Sequence, residues 1–167
     1  KTLIALLATI AVSTACLSTT APGTSSYGSG AKRILFVGNS LTSANDMPFF
    51  FVALAESAKV SPAPSVQVYW EPDFALIDHW NVGLAQSLIT GNKFSVVVLQ
   101  QGPSSVAVNR DTLRLAAKLF APLIRGGGGM PAMLSVWPTA DRAVDFDRAT
   151  ESYQIAAQDV NGAMIPS

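Results

Sequence analysis

The stretch Ile34-Leu35-Phe36-Val37-Gly38-Asn39-Ser40-Leu41-Thr42 decides the fold. Four consecutive apolar residues behind the basic pair Lys32-Arg33 read as a strand buried on both faces. The strand stops at Gly38, where the backbone turns without a Cβ penalty, and an apolar helical segment begins soon after. A serine at the carboxyl end of a buried strand stands where open α/β sheets bind their ligands. Its hydroxyl is a weak nucleophile and needs a base, usually histidine, to take its proton. On spacing alone two readings stay open: Ser40 as nucleophile, or Gly-Asn-Ser as a polar turn.

Strand and helix patterns alternate from there to the end. Asn45-Asp46 supply a cap and Pro48 suits a first helical turn. Residues 49–58 then form a very apolar helix, expected to bury its phenylalanine cluster against the sheet. Ser61-Pro62-Ala63-Pro64 breaks it, and residues 66–70 alternate as a second strand. A helix is expected over 76–88, ended by Gly91-Asn92, and a third buried strand over 94–100. Residues 111–124 are amphipathic, with Leu113, Ala117 and Phe120 on one side and Pro122 set to bend the last turn. The glycine run 126–129 precedes a strand and lacks a following Lys-Ser/Thr pair, so it is a connection and not a phosphate cradle. A fourth strand is expected over 132–136, a helix over 143–159 and the start of a fifth strand over 160–165. Such alternation implies a parallel sheet with helices on both faces. The expected class is α/β, a flavodoxin-like three-layer α/β/α sandwich.

ILFVGNSLT followed by NDMP resembles the first block of the SGNH, or GDSL-type, hydrolase superfamily, with Asn39 where the commoner motif has aspartate. A second stretch, Val96-Val97-Val98-Leu99-Gln100-Gln101-Gly102-Pro103-Ser104-Ser105, resembles a bacterial branch whose later strand reads VVLQ. The similarity runs from about Lys32 to the last residue. It implies the SGNH fold and an esterase or carbohydrate deacetylase in which Ser40 forms an acyl-enzyme on a small-molecule or carbohydrate ester. It also implies an oxyanion site drawn from Ser40's own N–H, the loop after the second strand and the end of the third. The family carries a glycine in that loop. This chain has none between Glu71 and Ile77, so the backbone near Ala75 is the candidate donor. Gln101 stands where the wider superfamily has asparagine, and Ser104 lies nearer the register if Gly102 matches the family's glycine. Both residues also read as holders of the turn. Asn39, His79 and Trp137 complete the candidate pocket. His79, the only histidine, matches a His-Trp pair of the branch as His79-Trp80 and reads as structural or pocket-lining ahead of catalytic base. Trp137 walls a pocket or stops the core.

The family's catalytic Asp-x-x-His does not occur in these residues. The chain thus reads as a C-terminally truncated member, carrying the nucleophile without its base and inactive as it stands. The competing class is a non-catalytic protein on the same fold: a binder cradling phosphate in the Gly-Asn-Ser-Leu-Thr loop, as flavodoxin-like folds do for FMN, or a surface lipoprotein.

With 167 residues, the chain has room for one domain with a proper core. Lysine plus arginine equals aspartate plus glutamate at 11 each, so nothing electrostatic points to a nucleic-acid partner. One cysteine excludes an internal disulfide framework and a cysteine-based metal site. Asp145, Asp147 and Asp159 are scattered along a helix, as on a solvated face. Neither metal nor cofactor is implied. Lys1 and the apolar run 3–12 are too short for a stable membrane anchor. The run ends in Ser13-Thr14-Ala15-Cys16, which resembles a bacterial lipoprotein signal with Cys16 as the lipidated residue; ordinary secretory cleavage is the rival. Residues 17–31 are rich in Ser, Thr, Gly and Pro and read as a tether. The expected organisation is signal 1–16, tether 17–31 and hydrolase-like domain 32–167, exported to the periplasm or cell surface.

Overall fold

A computed structural model of the chain describes residues 30–166. The signal-like stretch, Cys16 and the tether as far as residue 29 lie outside the described residues. Five strands, β1 (Arg33–Gly38), β2 (Ser65–Trp70), β3 (Val96–Leu99), β4 (Met130–Leu134) and β5 (Ala163–Ile165), pair in parallel in the order β2-β1-β3-β4-β5. β1 is paired on both sides, with Phe36 opposite Val68 on β2 and Val98 on β3. The chain winds outward from β1 to β2, then crosses back to continue from β3. The carboxyl ends of β1 and β3 therefore flank the topological switch point, where the crevice of an open α/β sheet lies.

Because side chains alternate along a strand, Leu35 and Val37 face one side of β1, and Ile34 and Phe36 the other. The first side carries the larger core, where Leu35, Val37, Val97, Leu99 and Met133 meet helices α3 (Leu76–Val82), α4 (Leu84–Gly91), α5 (Ala107–Gly126) and α6 (Phe146–Asp159). The second side holds a smaller cluster, Ile34, Phe36, Val98 and Ala132, with Met47 of α2 (Met47–Ser57) packed against it. A four-residue helix, α1 (Ser40–Ser43), and a 3-10 turn join β1 to α2.

Several expectations need correcting. The phenylalanine cluster of α2 is not core: Phe49, Phe50 and Leu54 are 58%, 61% and 68% exposed. The helix is apolar all round, so composition gave no stripe to say which side would meet the sheet. Asp46 stands at the cap position of α2, but its side chain makes no capping hydrogen bond. The helix expected over 76–88 is two helices, divided at Gly83, whose φ of 86° is left-handed and whose N–H closes α3 on the His79 carbonyl at 3.2 Å. α5 runs through Pro122 and continues to Gly126, two residues past its expected end. The proline is exposed, while Ala121 and Ile124 hold the last turns to the core. The aspartates are not simply solvated. Asp145 is buried against Arg142, whose Nε donates to it at 2.8 Å, and Asp159 accepts from Arg114 at 2.6 Å.

Candidate active site

Gly38 ends β1 in a crowded place. A Cβ there would drive into Thr42 Oγ1 and Gln100 Oε1, so only glycine lets α1 and the end of β3 close on the turn. Its carbonyl accepts the Glu71 N–H at 3.2 Å and lies 2.8 Å from His79 Nε2. Asn39 follows as a clamp. Its Oδ1 caps α1 by accepting from the Leu41 N–H at 3.1 Å and also accepts from Gln100 Nε2 at 3.1 Å. Its Nδ2 donates to the Phe74 carbonyl at 3.2 Å, and its own N–H donates to Gln100 Oε1 at 3.0 Å. Thr42 Oγ1 donates to that same Gln100 oxygen at 2.5 Å.

Ser40 is the first residue of α1 and is exposed. It opens into a cavity of about 480 Å³ that Asn39, Phe74, Ala75, Gln101 and Ser104 also line. Five sequence-named candidates, Ser40, Asn39, Ala75, Gln101 and Ser104, are therefore brought together across three strand ends. Two others are not. His79 is fully buried behind the turn, between the edges of Tyr69 and Phe74 at 4.8 and 5.1 Å, and does not line this cavity. Trp137 is 60% exposed and does not line it either.

The donors of this site are already employed. Gln101 accepts the Leu76 N–H on Oε1 at 3.1 Å, and its Nε2 donates to Ser104 Oγ at 2.9 Å and to the Asn109 carbonyl at 3.2 Å. The Ala75 N–H donates to Asp78 Oδ2 at 2.8 Å. Ser40's N–H lies in the first turn of α1, where no intrahelical acceptor exists. Ser104 adopts a left-handed φ of 57°, and its Oγ donates to the Gly102 carbonyl at 3.0 Å. Ser152 of α6 holds this turn from outside, donating to the Ser104 carbonyl at 2.7 Å.

Gln100 and Tyr153 are parts of the site that sequence reasoning missed. The Tyr153 hydroxyl donates to the Gln101 carbonyl at 2.6 Å and accepts the Gln101 N–H at 3.1 Å. Burial pushes its phenol well above the ordinary range, so it stays neutral. A polar residue closing the apolar run of β3 was the available signal for Gln100. Tyr153 had none, being 52 residues from its partner.

Chemically, the rim presents the exposed Ser40 hydroxyl in a hydrogen-bonded frame, with Asp73 also lining the cavity. Among the described residues no side chain is hydrogen-bonded to that hydroxyl, and no group of three or more His, Cys, Asp or Glu is arranged to hold a metal ion.

No family model matches the chain, and no curated protein matches it. Solved structures do. A protein assigned to the SGNH hydrolases, from Slackia heliotrinireducens, superposes with a TM-score of 0.66 at 25% identity, over 80% of this chain and 78% of that one. The psychrotrophic esterase EstA from Pseudoalteromonas sp. gives 0.60 at 13% identity, over 81% of this chain and 77% of that one. A catalytic mutant of Axe2, an acetylxylan esterase from Geobacillus stearothermophilus, gives 0.61 at 15% identity, over 83% and 76%. The last two show likeness of fold alone. A fold shared with solved SGNH hydrolases, one of them at 25% identity, and a GNSL block that delivers its serine to the switch point make this chain a member of the SGNH/GDSL hydrolase superfamily.

Proposed function

We propose that Ser40 is the nucleophile of an ester hydrolase acting on small-molecule or carbohydrate esters through an acyl-enzyme. The observation that carries this is its place: an exposed serine at the N-terminus of α1, at the β1/β3 switch point, opening on a cavity that Asn39, Gln101, Ser104 and Asn109 also line. Ser40 attacks the ester carbonyl, a histidine takes its proton and returns it to the leaving alcohol, and water then resolves the acyl-enzyme. Ser40's N–H is the oxyanion donor in place. The Ala75 N–H and the Gln101 amide join it only by giving up their bonds to Asp78 and to Ser104 or Asn109. Loss of one such donor typically costs about 10²–10³ in rate.

The histidine is not His79, whose Nε2 is bound to the Gly38 carbonyl. The general base is supplied from outside residues 30–166, and the superfamily's Asp-x-x-His is the expected form. The 167-residue chain by itself should therefore turn over short acyl esters negligibly. In a chain carried on past Ser167 through such a segment, hydrolysis should appear and Ser40→Ala should abolish it. No hydrolysis, no fluorophosphonate adduct on Ser40 and a co-purified yellow flavin would favour the binding protein instead. We also propose export, with Cys16 as a lipid anchor at the periplasmic or outer surface; the sequence pattern at residues 1–16 supports it.

A further inference from the structure

We propose that His79 is a positioning residue: its Nε2–H, donated to the Gly38 carbonyl, fixes the turn that carries Ser40. The inference rests on the reading of Ser40 as nucleophile. A carbonyl oxygen only accepts, so the 2.8 Å contact requires the proton on Nε2. Nδ1 is buried and has no hydrogen-bond partner among the described residues. A proton there would be a buried N–H without an acceptor, so the ring is neutral and in a single tautomer. Burial drives its pKa below the usual value. The Gly38 bond and the charges of Glu71 and Asp78 pull the other way, by less. Tyr69 from β2 and Phe74 from the following loop pack against the ring in T-shaped geometry, with centroids 4.8 and 5.1 Å away.

The bond matters because of what Gly38 carries. Its peptide joins β1 to Asn39 and Ser40, and the loop after β2 together with α3 ties to this turn at three points. These are the Glu71 N–H on the Gly38 carbonyl, Asn39 Nδ2 on the Phe74 carbonyl, and His79 on the same Gly38 oxygen. On the opposite side Thr42 and Gln100 leave no room for a Cβ. The peptide before the nucleophile is thus pinned from both flanks, and His79 is the side chain that pins it to α3. A ring that merely filled space would need no donor at this distance.

The test uses the 167-residue chain. Imidazole nitrogen shifts followed from pH 5 to 8, a range of about one and a half units either side of the ordinary histidine value, should show the neutral Nε2–H tautomer persisting to lower pH than in a free imidazole. His79→Leu keeps bulk without a donor, and His79→Gln keeps a donor. Amide exchange at Asn39, whose N–H is held by Gln100, should speed about tenfold in the leucine variant, the weight of one hydrogen bond, and stay near wild type in the glutamine variant. A ring that titrates near 6.5, a proton on Nδ1, or equal exchange in the two variants overturns the inference. Failure of the hydrolase reading would look different: His79 in its expected state, in a chain supplied with the Asp-x-x-His segment that leaves esters untouched.

Discussion

At Gly38 a single methyl group meets Thr42 Oγ1 and Gln100 Oε1 together, so Gly38→Ala should destabilise by about 1–3 kcal/mol through overpacking, read from denaturant unfolding. Tyr153→Phe should cost a similar ~1–3 kcal/mol, since it leaves the buried N–H and carbonyl of Gln101 without their hydroxyl. His79 gives a pH signature. Its folded pKa lies below the unfolded value, so the unfolded chain binds the extra proton first as pH falls. Its contribution to stability is full above about pH 6.5 and is lost as pH drops toward the folded pKa. His79→Leu should flatten that part of the profile, measured by urea midpoints across pH; an unchanged slope would show that the ring is not buried neutral. Among site residues, Ser40 and Asn39 were legible because a buried strand ending in glycine carries its own punctuation. Gln101 and Ser104 were legible as a turn. Their partners Tyr153 and Ser152 were not, because a helix residue facing a loop some fifty positions away leaves no local pattern.

The elements divide the same way. The five strands and their parallel direction follow from short apolar runs separated by helix-length segments, and the structure moves their ends by only a few residues. What the residues did not declare was direction: α2 has the most apolar sequence of any helix here, yet it exposes Phe50 and Leu54, whereas α5, with charges on one side, buries Leu113 and Phe120 completely. A stripe tells a helix which way to face, and richness alone does not. Phe120→Ala should therefore cost about 3–5 kcal/mol, and Phe50→Ala should stay within about 0.5 kcal/mol of wild type. Equal losses at the two positions in thermal unfolding would contradict the assignment of faces. Val37, with no exposure and a neighbour strand on either side, is the harsher probe of β1. Val37→Asp buries a charge without a partner and should cost several kcal/mol.

For the whole molecule, the sheet order brings the ends of β1, β2 and β3 to one rim, and every candidate that meets there does so because parallel strands share a direction. Export belongs to this scale too. If Cys16 is the lipidated residue, Cys16→Ala should abolish incorporation of labelled fatty acid in a bacterial host, and unchanged labelling would leave only ordinary secretion. The only histidine of the sequence is committed to the backbone beneath Ser40. The most direct test of the account is hydrolysis of a short acyl ester by three proteins compared side by side. These are the 167-residue chain, the chain carried past Ser167 through an Asp-x-x-His segment, and that longer chain with Ser40→Ala. The account predicts activity in the second alone. Esterase activity in the 167-residue chain that disappears on replacing His79, or activity in the longer chain that survives Ser40→Ala, would contradict it.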